Sequence, residues 1–206
     1  MARHHTHRME ISMRKTLAAI ALLAAAGLTL TACGEDTDGD ATGTESSAAF
    51  NDADVTFARQ MIPHHEQAVE MAQMAQGRAK SEEVLSLAED IEAAQGPEID
   101  SLQGWLDTWG EDVPASGMEH GDMGHDSGGT MSGMMDEEQM SDLMAASGAD
   151  WDQMFLEMMI EHHEGAIEMA ESEVDQGENP DAVALAEKII SDQQAEITQM
   201  QQLMQP

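Results

Sequence analysis

The sequence predicts an all-α protein, a ferritin-like four-helix bundle built from two pseudo-symmetric helical hairpins joined by a long crossover. Three observations carry that prediction. Residues 54–106 repeat without a gap as residues 152–204, so one supersecondary unit is used twice and each copy completes the other's core. Apolar residues in both copies recur at spacings of three and four, the period of an amphipathic helix, and no stretch alternates with period two. Tyrosine is absent and β-branched residues are sparse. Two hairpins of equal length on either side of a connection at 107–151 give the connectivity of ferritin-like folds.

The elements follow in order. Arg14-Lys15 precedes an apolar run from Leu17 to Leu30, closed by Leu30-Thr31-Ala32-Cys33. This pattern reads as a signal peptide over 1–32, starting at Met1 or Met13, with a lipoprotein box that makes a diacylated Cys33 the first mature residue. The run is too short to span a bilayer comfortably. Residues 33–50, rich in Gly, Ser, Thr, Ala and acid, form a flexible tether from the membrane. The bundle occupies 51–206.

Its first helix runs from about Asp52 to Gln76, with Phe57, Met61, His64, Ala68, Met71 and Ala75 on one stripe, Asn51 or Asp52 as cap and Gly77 beyond its end. A second helix begins at Ser81, carrying Val84, Leu87, Ile91, Ile99, Leu102 and Leu106 and kinked at Gly96-Pro97. The crossover holds a short helix at about Asp136–Ala146. In the second unit the helices run from about Asp150 to Gln176 and from Pro180 to about Leu203, where Asn179-Pro180 supplies a cap and a first-turn proline.

The formal net charge is −33. Arg3, Arg8, Arg14 and Lys15 fall in the signal, which leaves Arg59, Arg78, Lys80 and Lys188 as the only mature cations. Such a field repels nucleic acid and anionic lipid and concentrates cations, so nucleic-acid binding is excluded and the membrane is met through the lipid alone. Most of these carboxylates are a solvated surface. Cys33 is the one cysteine, so once it is lipidated no disulfide, thiolate site or thiol nucleophile remains.

The best-matched part of the repeat is chemically unusual. Met61, His64, His65 and Glu66 recur as Met159, His162, His163 and Glu164. On a helix Met61 neighbours His64 at i, i+3 and His65 at i, i+4, and a pseudo-two-fold axis brings the two clusters together. Imidazole nitrogen with thioether sulfur suits copper, Cu(I) above all but also Cu(II), and silver. Glu66 and Glu164 are the expected orienters of imidazole. Core histidines packed among filler methionines are the bland alternative, which the repetition of the triplet at identical phase disfavours. Met118, His120, Met123 and His125 add a second soft-metal set in a Gly-rich tract. Because residues 116–133 lack an apolar period, they are expected to be dispensable for folding. Di-iron bundles need Glu-x-x-His on two helices, whereas Met61, Ile62, Met159 and Ile160 stand three residues before the four histidines.

At His64-His65-Glu66 and along Phe155 to Ala170, the chain resembles a bacterial family called domain of unknown function 305, a ferritin-like four-helix group that includes copper-binding members of the CopM type. The resemblance covers about residues 50–205. It implies an exported helical bundle, copper or silver binding, and a signature on Met61, His64, His65, Met159, His162 and His163.

The function expected is an extracytoplasmic, membrane-anchored copper or silver binding protein for sequestration, resistance or transfer. It would face the periplasm or the cell exterior, exchange metal with a donor or acceptor protein and be open to homo-oligomerisation. The alternatives are a ferritin-like metalloenzyme using iron or manganese and a metal-free interaction module.

Overall fold

Side-chain caps start four of the five described helices. The structure, a computed structural model, describes residues 49–114 and 131–205; the signal segment, Cys33, nearly all of the tether and Met118, His120, Met123 and His125 lie outside them. Helix α1 spans Asp52–Gln73. Asn51 caps it, its side chain accepting from the N–H groups of Ala53 and Asp54 at 2.7 and 3.2 Å, while the Asp54 carboxylate accepts from the Asn51 N–H at 2.6 Å. This reciprocal box satisfies donors that a helix start leaves without partners. Helix α2 (Glu82–Trp109) starts at Ser81 and ends at Gly110, whose φ of +75° is left-handed. Helix α3 (Glu137–Ala145) opens on a second box, Asp136 with Gln139. Helix α4 covers Ala149–Gln176 and α5 Pro180–Leu203, the latter capped by Asn179 with Pro180 in its first turn.

The protein is all-helical, as expected; no strand occurs among the described residues. α1 pairs with α2 and α4 with α5 as hairpins, and the hairpins meet chiefly along α1 and α4. α2 continues unbroken through Pro97, and α1 through Pro63. No described helix is long and apolar enough to cross a membrane.

The buried apolar side chains form two clusters. One joins the second half of α1 and the first half of α2 to the first half of α4, through Met71, Leu87, Ile91, Trp151 and Phe155. The other joins the opposite halves, through Phe57, Met61, Leu102, Ala166 and Ile189. Each cluster draws on both hairpins, so neither hairpin buries its apolar face alone. Antiparallel α1 and α4 thereby place the middle turns of all four long helices between the clusters.

The ends are tied by a reciprocal exchange. The Asp54 carboxylate accepts from the N–H groups of Glu178 and Asn179 at 3.2 and 2.9 Å, and its repeat equivalent Asp152 accepts from those of Lys80 and Ser81, both at 2.9 Å. Each hairpin's first helix thus holds the entry to the other hairpin's second helix.

The end of the crossover packs as structure, which corrects the expectation that residues up to 133 are dispensable. Met135 is buried, and its backbone is gripped from both sides by Gln67, whose amide donates to its carbonyl at 2.9 Å and accepts from its N–H at 2.8 Å. Gly133, at φ +77°, lies against the backbone of α4 at Gly165. A side chain at either glycine would collide with main chain, so this close approach depends on both. α3 then lays Met140 and Leu143 into the first apolar cluster. The last residue before the bundle also docks: Phe50 stacks on Trp109 with ring centroids 4.8 Å apart.

Candidate metal centre

The gap between the two apolar clusters is filled by polar side chains. His64, His65, His162 and His163 are all fully buried, and Gln95, Glu98 and Gln193 are nearly so. Successive residues on a helix point about 100° apart, so a His-His pair addresses two neighbours at once. On α1, His64 faces α4, where its ring meets that of His162 with centroids 3.8 Å apart and planes tilted by 40°. His65 faces α2, where its Nε2 lies 2.9 Å from Glu98. On α4, His163 repeats the pattern toward α5, with Nε2 2.6 Å from Glu196. Glu98 and Glu196 are themselves repeat equivalents.

These contacts settle which nitrogen carries the proton. A carboxylate or carbonyl oxygen only accepts, so His65 and His163 donate from Nε2–H to Glu98 and Glu196, and His64 donates from Nε2–H to the Ser132 carbonyl at 3.1 Å. In a neutral ring the other nitrogen is then a bare lone pair. Among the described residues, Nδ1 of His64, His65 and His163 has no partner, and neither nitrogen of His162 has one. Gln95 and Gln193, one turn before Glu98 and Glu196, also keep unpartnered amide atoms. Buried polar atoms without partners cost on the order of 1–3 kcal/mol each, so a conspicuous set of them in one layer marks a place built for something else.

The rings of His64, His65 and His162 are uncharged at neutral pH. Burial drives His64 down to about 3, with the neighbouring His65 adding to the effect. Burial likewise lowers His65 against the opposing pull of Glu98, and lowers His162 well below the ordinary value with His64 contributing. Glu98 is itself buried, which would raise it, but hydrogen bonds from His65 and Lys188 outweigh that and keep it ionised. Neutral imidazoles with free lone pairs are in the protonation state that metal ligation requires.

The six residues of the repeated signature are therefore brought to the middle of the bundle. Met61 and Met159, one turn before the histidines, are fully buried, one at the edge of each apolar cluster. Glu66 and Glu164 do not orient imidazole: neither bonds a histidine, Glu164 is exposed, and the carboxylates in that role are Glu98 and Glu196. The reason is angular, since a residue next to His65 or His163 on its own helix points away from the ring. The repeat itself could have revealed the replacement, because Glu98 and Glu196 match in it. Gln95 and Gln193 match too. Among the described residues, no three His, Cys, Asp or Glu side chains converge on one point; a metal-binding set here has to recruit thioether sulfur or amide oxygen beside imidazole.

The family model described as domain of unknown function (DUF305) matches residues 54–204. No curated protein matches the chain. Among solved structures, a DUF305 protein from Streptomyces coelicolor is 34% identical with a TM-score of 0.65, over 74% of this chain and 91% of that one. CopM in its Cu(II)-bound form is 36% identical with a TM-score of 0.61, over 73% and 94%. The Cu(I)-bound form of CopM gives 32% and 0.58 over the same shares. CopM is also solved in an Ag-bound form.

Proposed function

Since the chain belongs to the DUF305 family, we propose that it binds copper, with silver as a mimic, at the histidine layer, as a protein exported and anchored outside the cytoplasm to sequester or pass on the metal. The observation that carries this reading is the layer of four fully buried imidazoles, three of which keep Nδ1 free by hydrogen bonding at Nε2 while His162 has no partner at either nitrogen among the described residues. Its likeness to CopM, solved with Cu(I), Cu(II) and Ag, supports the choice of metal. Met61, His64, His65, Met159, His162 and His163 would hold the ion, and Glu98 and Glu196 would fix ring orientation and raise imidazole basicity. Bound copper supplies a soft cation, with no reaction of its own required of the protein. Met118, His120, Met123 and His125 would add a second soft-metal set, as a capture arm.

Changing both Met61 and Met159 to Leu roughly keeps core volume, a swap costing under about 1.5 kcal/mol. It should weaken Cu(I) while sparing Cu(II), because only the softer ion depends on thioether. His64→Ala with His162→Ala should weaken both. Competition titration against a chromophoric chelator measures each, and unchanged affinity in every variant would reject the site. For the anchor, Cys33→Ser should move the protein from the membrane fraction to the soluble extracytoplasmic fraction. A wild-type protein already soluble there would reject the anchor.

A further inference from the structure

Resting on the metal-layer reading, we infer that metal reaches the histidine layer along one half of the α1–α4 seam, through a cleft whose inner end is the Ser132 peptide. The seam has two halves related by the repeat, and they have been treated differently. Along one, Met74, Met154 and Met158 pack with Met140 and Leu143 of α3 and with Met135, which close it. Along the other, the equivalent positions are Ser172, Thr56 and Gln60, and they line an open cleft of about 450 Å³ between the start of α1 and the end of α4.

This cleft is suited to a cation. Asp52 and Glu168 stand in its wall and Met169 offers a thioether. A cleft walled with one sign of charge concentrates counter-ions. The cleft also ends at the right place. Ser132 lines it, its hydroxyl donates to Glu168 at 2.7 Å, and its carbonyl is the acceptor for His64 Nε2. Ser132 is exposed while His64 is fully buried, so one peptide group separates the imidazole from solvent on this side.

The test is the rate of Cu(I) transfer from a chromophoric chelator to the full chain, followed by absorbance. The relevant phase is the one lost in His64→Ala/His162→Ala. Ser172→Trp and Gln60→Trp, at exposed positions on facing helices, each plug the cleft and should slow that phase by roughly tenfold, the lower end of what a focusing cleft contributes to an on-rate. Entry and exit by one path slow together, so equilibrium affinity should not change. Met144→Trp, on exposed α3 at the closed half, should leave the rate as it is. The route is overturned if either tryptophan leaves the rate unchanged, if affinity falls by the same factor as the rate, or if Met144→Trp slows transfer equally. A wild-type protein with no phase under the control of the histidines would instead sink the metal-layer reading itself.

Discussion

Glu173 is a buried acid with no counterpart in the repeat, where Ala75 holds its place. Burial raises it from 4.5 to about 8, and the adjacent Asp54 carboxylate pushes the same way. Asp54 itself feels burial in the upward direction, but N–H groups of Asn51, Asn179 and Glu178 bring it below its usual range. Glu173 is therefore the protonated member of the pair at neutral pH, beside the ionised Asp54. A folded-state value above the unfolded one means stability fully present below about 4.5 and lost as pH rises through about 8. Glu173→Gln keeps a donor toward Asp54 without a titrating proton. The variant's thermal midpoint, measured against wild type, should gain steadily between about pH 5 and 9; a difference independent of pH would show that Glu173 is already ionised.

At the scale of elements, the helices were readable and the seat of the crossover was not. Caps at Asn51, Ser81, Asp136 and Asn179 are local chemistry, and the period of the apolar stripes is local geometry, so four long helices and a short one can be placed from residues alone. The run Met131 to Met135 has no helical period, yet it is held by Gln67, by His64 and by the approach of Gly133 to Gly165. All of those partners are distant in sequence, and glycine in a linker looks the same whether it is loose or packed. The same limit applied to the centre: the His-His pairs announced themselves, whereas the carboxylates that fix the rings sit a helix away. A methyl group at Gly165 would collide with the Ser132 carbonyl oxygen. Gly165→Ala should accordingly destabilise the fold by about 1–3 kcal/mol in denaturant titrations, through forced displacement of the strap. A loss near zero would mean that 131–135 lifts off without cost.

At the scale of the molecule, charge and symmetry govern. A net charge of −33 sets the folded state against its own repulsion, which mobile ions relieve. Raising NaCl from about 0.05 to 0.5 M, where the screening length shortens to a few ångströms, should raise the thermal midpoint; a midpoint that is flat or falling would show that attractive ion pairs such as Lys188 with Glu98 and Asp192 dominate instead. The exchange in which Asp54 holds residues 178–179 while Asp152 holds residues 80–81 has a consequence for how the two sides of the axis can differ. Contacts of residue i with j matched by those of j's twin with i's twin are the mark of an isologous two-fold interface. The two hairpins thus relate as the subunits of an isologous homodimer do, but within one chain. Two identical subunits must change together, since every mutation appears on both sides of the axis. Two copies in one chain are free of that constraint: Lys188 salt-bridges Glu98 but has only Asp90 as its repeat equivalent, Glu173 stands where its twin is alanine, and one groove carries methionines and a helix while the other carries serine, threonine and glutamine. Within a single chain, an axis that would present two equal faces in a homodimer carries a closed side and an open one.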